Sequence, residues 1–136
     1  MKRDIIFIII PTILIIVAMI GALIMIPMSN PLRKSEGNIR KRLLEITPVD
    51  STMDEVVEAA KKNGWEVRGI NNKSGYGLTN NGRPTAGGNN KVGVQSIKLD
   101  IGKYYNPFRV DISVFYGFDE DGKLIDLAVI KYIDVI

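Results

Sequence analysis

"RVDISVFYGFDEDGKLIDLAVIKY", residues 109–132, sets two apolar runs around three acids and a glycine. In the first run Val110, Ile112, Val114, Tyr116 and Phe118 alternate with Arg109, Asp111 and Ser113. That is the period-two pattern of a strand with one buried face. The cluster between the runs has two readings. An EF-hand loop needs D-x-[DN]-x-[DN]-G with a glutamate at position 12. With Gly122 at position 6, position 1 is Gly117 and position 12 is Ala128, so two ligands are missing. The flanks are also strands, where an EF-hand needs helices. A hairpin fits: Asp119–Asp121 forms a type I turn and Gly122 takes the left-handed bulge position.

The second run, about Lys123–Tyr132, is apolar on both faces. Alternation puts Ile125, Leu127 and Val129 on one face and Leu124, Ala128, Ile130 and Tyr132 on the other, with Phe115 of the preceding strand on whichever face is not the core. An antiparallel sheet covered on one side is polar on the other. The second face therefore calls for a cover (the linker, the long loop or a membrane surface) or is a docking patch. Phe115, Ala128, Ile130 and Tyr132 are the candidate partner surface.

Upstream, strand patterns occupy residues 92–101, where Ile97, Leu99 and Ile101 alternate with Lys98 and Asp100, and residues 65–70, "WEVRGI". Between them Asn71–Asn90 reads as a mobile surface loop rich in glycine and asparagine, a candidate contact loop whose length points to function or to disorder. It carries neither G-x-x-x-x-G-K-[ST] nor a G-x-G-x-x-G that opens a helix, so phosphate binding is not indicated.

Two helices precede the strands. In "STMDEVVEAAKKNGW" Thr52 and Glu55 have capping-box spacing, Met53, Val56, Val57 and Ala60 form one stripe, and Gly64 suits the left-handed stop. A shorter helix over 38–46 carries Ile39, Leu43, Leu44 and Ile46 and ends before Pro48. The expected class is α+β: two short helices on one face of a three- to four-stranded antiparallel sheet, residues 38–136, behind a 29–37 linker.

At the start, Ile5–Met28 is a run of 24 residues without a charge, behind the short basic tail 1–4. A helix of that length crosses a hydrocarbon core of roughly 30 Å, and the run is longer than the h-region of a cleaved signal. This predicts a transmembrane signal anchor and a single-pass protein of the cell membrane. Positive charges after the run favour a cytoplasmic domain, whereas a basic start before a long apolar run favours an exported one. The extracytoplasmic placement is the preferred expectation, and a cytoplasm-facing domain is the alternative.

Composition narrows the chemistry. Beyond Lys2, Arg3 and Asp4 there are 16 Lys+Arg against 14 Asp+Glu, too balanced to indicate nucleic acid. With no histidine and no cysteine, the commonest general base, thiol catalysis, disulfides and thiolate metal sites are all absent. Ser96 with Lys98 reads as a solvated strand face. Asp100 and Asp111 have Lys98 and Arg109 nearby as ordinary cross-strand partners. No catalytic residue, cofactor, metal or small-molecule substrate is expected. Arg40, Lys41 and Arg42 make a candidate membrane-surface contact for anionic lipid.

The capped helix "TPVDSTMDEVVEAAKKNGWEV", a loop and strands ending in "FDEDGKL" together resemble small bacterial membrane-tethered domains, mostly uncharacterised. Their fold is similar to the β-lactamase-inhibitory-protein repeat and to the small lipoprotein of the β-barrel assembly machinery. The resemblance covers about Thr47–Ile133 and departs from the lipoproteins in lacking a lipidated cysteine. It implies a domain that acts by binding proteins and carries no catalytic residues. The expected function is thus a membrane-anchored, extracytoplasmic protein-binding or accessory domain, or alternatively an accessory protein contacting anionic lipid.

Overall fold

The computed structural model describes residues 11–21 and 30–135. The chain divides into two units, Met1–Arg33 and Lys34–Ile136. In the first, residues 11–21 are helical (α1), and a 3-10 turn at Pro31–Arg33 is held by the Asn30 side chain, which accepts from the Leu32 amide at 3.0 Å. Among the described residues no helix is long and apolar enough to cross a membrane. Residues 11–21 rise about 16 Å at 1.5 Å per residue, roughly half of a hydrocarbon core. The expectation of a transmembrane signal anchor and a single-pass membrane location is corrected accordingly. The remainder of the Ile5–Met28 run, and the 1–4 tail, lie outside the described residues.

In the second unit, α2 (Glu36–Ile46) starts two residues before its expected position. Ser35 supplies the cap, its hydroxyl accepting from the Asn38 amide. Helix α3 (Met53–Asn63) has the capping box in both directions, with Glu55 Oε2 2.7 Å from the Thr52 amide, and stops at Gly64 with φ 70°. That bond to the Thr52 amide holds the Glu55 carboxyl below its ordinary pKa. The α+β expectation thus holds in this unit.

The main sheet is antiparallel in the order β1–β5–β6–β7: β1 (Glu66–Asn71), β5 (Gln95–Asn106), β6 (Phe108–Phe118) and β7 (Leu124–Asp134). Residues 102–106, expected as a connection, extend β5 past a bulge between Asp100 and Gly102. The β6–β7 hairpin closes as read. The Asp119 carboxylate accepts from the amides of Asp121 (3.0 Å) and Lys123 (2.8 Å), and Gly122 sits at φ 72°. Its acids are turn residues.

One register detail departs from alternation. A bulge opposite Gly117–Phe118 pairs Phe118 with Leu124, because Leu124 exchanges main-chain bonds with Asp50 and Ser51 of the α2–α3 connection. Leu124 is thereby buried on the helix side and Ile125 is exposed, the reverse of the period-two expectation.

Ile39 and Leu43 of α2, with Val56 and Ala60 of α3, cover Ile97, Leu99, Ile112, Val114 and Leu127. Each such aliphatic side chain withdrawn from water contributes about 1.5–3 kcal/mol before the entropy of ordering it. Tyr116 crosses this core to reach the Thr47 hydroxyl at 3.4 Å.

Residues 71–94 hold a second, three-stranded sheet in the order β3–β2–β4: β2 (Tyr76–Leu78), β3 (Pro84–Thr85) and β4 (Asn90–Val92). It lies on the face of the main sheet opposite the helices. The approach needs a glycine: a Cβ on Gly117 would stand 2.6 Å from the Val92 carbonyl oxygen. The stretch expected as a structureless loop is therefore the cover for the second apolar face.

Candidate functional site

The cover answers where the expected partner surface went. Phe115 and Ile130 are 4% and 5% exposed, and form a cluster with Tyr76 into which Leu78, Val92 and Ala128 also pack. The Tyr76 and Phe115 rings are 6.0 Å apart at 48°, a tilted pair. Burial pushes the Tyr76 phenol up to about 12. Phe115 and Ile130 are thus core residues, with Ala128 half-buried beside them, because the glycine-rich segment supplies its own apolar face; only the margin of this face, at Ala128 and Ile130, still lines a groove. Tyr132 alone of the four stays open, 42% exposed, with the Lys98 ammonium 6.0 Å from its ring.

Beyond the small sheet the same face is polar. Arg68, which the sequence reading passed over, pairs with Asp100. The Ser113 hydroxyl donates to the other Asp100 oxygen at 2.6 Å. Burial works upward on this carboxyl, but the bonds from Ser113 and Arg68 outweigh it and hold the group below the usual carboxylate range. Arg109 bonds Asp111 within β6 and not across the ladder as expected, and Ser96 donates to the Ser74 carbonyl at 2.9 Å. Asp100 faces Ser113 across the ladder while Asp111 faces Lys103, so the two acids do not converge.

The basic triplet does not act as one surface. Successive helical residues point in different directions. Arg40 turns onto β7, bonding Asp126 and donating through Nε to the Leu127 carbonyl at 3.1 Å. Lys41 and Arg42 are exposed.

Arg40 also lines a concavity of the domain. A groove of about 440 Å³ lies between α2, β7 and the turn joining β2 to β3. Tyr76, Leu78, Pro84, Val92, Ala128 and Ile130 give it an apolar wall, and Glu36, Arg40, Asp126 and Arg83 bring charge of both signs to its rim. Gly37 also lines it, and a Cβ there would meet nothing within 4 Å.

The edge of β7 lies along this groove. β7 has a ladder partner, β6, on one side only. Antiparallel pairing turns the main-chain groups of alternate residues outward, here Leu127, Val129 and Lys131. The Leu127 carbonyl accepts from Arg40, and its amide donates to Asp126 Oδ1 at 2.8 Å. The Lys131 amide donates to Glu36 Oε1 at 3.0 Å. α2 thus caps the edge with an acid and a base one helical turn apart, which blunts indiscriminate strand pairing. Among the described residues, neither outward group of Val129 has a partner.

Glu36, Gly37, Arg83 and Val129 went unseen in the sequence. Gly37 falls in the expected 29–37 linker, so nothing local marks it. Comparison with protein-family models, with curated proteins and with solved structures finds no match.

Proposed function

We propose that the Lys34–Ile136 unit is a protein-binding domain without catalytic activity, and that it holds a polypeptide segment in the groove between α2, β7 and the β2–β3 turn. One observation carries the reading: a groove of about 440 Å³ with an apolar wall and a rim of both charges. Binding sites of this kind pair apolar burial with a few placed polar groups. A sequence without histidine or cysteine supports binding over catalysis.

Panning a random-peptide display library against the whole 136-residue chain tests it. Enriched peptides should bind wild type and lose at least tenfold in affinity to Gly37→Trp, which fills the groove from an open position, while Lys41→Glu leaves them unchanged. Failure to enrich peptides, or enriched peptides that bind Gly37→Trp as well as wild type, would remove the reading.

A further inference from the structure

We infer that the groove takes its polypeptide as an added β-strand, in which one residue hydrogen-bonds both main-chain groups of Val129 and a neighbouring acidic side chain meets Arg83. This rests on the protein-binding reading and specifies its chemistry. Val129, 7% exposed and lining the groove, lies between the Leu127 rung, capped at both groups, and the Lys131 rung, capped at its amide. Leu127 is held by Arg40 and Asp126, and the Lys131 amide by Glu36. An extended residue opposite Val129 presents a carbonyl to its amide and an amide to its carbonyl, the exchange a ladder makes. The capped rungs limit the added strand to about three residues, roughly 10 Å at 3.3 Å per residue.

Pleating then assigns the side chains. Val129 shares the helix side of the sheet with Leu127, so the residue opposite it points toward α2. Gly37 lies there, with open space where a Cβ would be. Gly37 is the second residue of α2, and no packing within the domain requires a glycine there. Its missing side chain leaves room for the guest's.

The two flanking guest residues point the other way, toward the small sheet and Arg83. Arg40 is committed to Asp126, whereas Arg83 makes no ion pair among the described residues. Burial raises the Tyr132 phenol, on that same face of β7, and the Arg83 charge acts against it. An aspartate or glutamate next to the central residue supplies the missing anion. The partner is therefore an extended acidic segment of another polypeptide.

A heptapeptide enriched by panning on the whole chain serves as probe. It is synthesised with an N-methyl group at each position in turn, and Val129 is followed by amide hydrogen exchange. One N-methyl position should lose at least tenfold while its immediate neighbours change little. The Val129 amide should exchange at least tenfold more slowly in the complex. Arg83→Glu should weaken acidic peptides at least tenfold, and a lysine in place of the peptide's acid should restore binding to that variant. If N-methylation is tolerated and Val129 exchange is unchanged while Gly37→Trp still blocks the peptide, strand addition is overturned and the binding reading stands. If no enriched peptide depends on the groove, both are overturned. Dimerisation abolished by Gly37→Trp, without any peptide enriched, would assign the edge to a second copy and also overturn the inference.

Discussion

On one face of the four-stranded sheet, two capped helices lay aliphatic side chains over Leu99, Val114 and Leu127. On the other, a glycine-rich segment presses its backbone onto Gly117 and contributes Tyr76 as its main apolar group. Both faces end up buried at their centres, yet by different physics. The helix face is closed by side-chain volume, which tolerates small adjustments through rotamers. The second face is closed by main chain against main chain, where a single methyl group has nowhere to go. The groove exists at the margin of the second face because the small sheet stops short of α2, leaving the edge of β7 between them.

Substitutions can break this comparison one side at a time. The largest loss should come from Leu99→Ala, which empties a fully buried site under the helices and costs about 2–5 kcal/mol in urea unfolding. Next, Gly117→Ala places a methyl group 2.6 Å from the Val92 carbonyl oxygen and should cost about 1–3 kcal/mol. Its signature should be local. Amides of residues 76–78 and 90–92 should lose exchange protection while those of α3 keep theirs. Equal loss in both would show that the two covers form one cooperative unit.

Thr52→Ala removes the hydroxyl that accepts from the Glu55 amide and should cost about 1 kcal/mol. That loss acts on the helix face alone, leaving exchange in the small sheet in step with global stability.

The pH dependence distinguishes the faces as well. Tyr76 is raised to about 12 when folded, against about 10 in an unfolded chain. The folded state therefore holds this proton more tightly. Its contribution is complete below about pH 10 and is lost as pH rises toward 12. The melting temperature should fall across that window, and Tyr76→Phe should reduce the fall. Tyr116, raised by burial on the helix face, should account for part of what remains.

The smallest effect has the opposite sign. Gly37→Ala meets open space in the first turn of α2 and should stabilise the domain by about 0.4–1 kcal/mol by restricting the unfolded chain, read as a raised melting temperature. A stabilising change that narrows the groove is the expected trade where a site is kept open at the cost of stability.

Local rules were legible where neighbouring residues enforce them. The Thr52–Glu55 box, the Gly64 stop and the Asp119–Gly122 turn are each closed by bonds within a few residues, so their spacing alone carries them. The two-sided β7 was legible as needing a cover. What covers it was not, since strands of two or three residues such as β3 and β2 have no period to detect. The Leu124–Ile125 reversal was hidden for a related reason. It is imposed by bonds from Asp50 and Ser51, more than seventy residues away in the chain. The apolar start shows the opposite limit: its composition suggested a bilayer span, whereas the described helix, residues 11–21, is too short for one.

The amino-acid sequence by itself determined the helices, the hairpin, the α+β class of the domain and the absence of histidine and cysteine chemistry. Those follow from side-chain periodicity, capping and composition, which act over a few residues. Only the tertiary structure decided that Phe115 and Ile130 are core, that Arg40 and Glu36 guard the edge of β7, and that the outward main-chain groups of Val129 are left without a partner among the described residues. These depend on which backbone edges and faces meet across the fold, and main-chain hydrogen-bonding groups are the same at every residue until pairing makes some of them different.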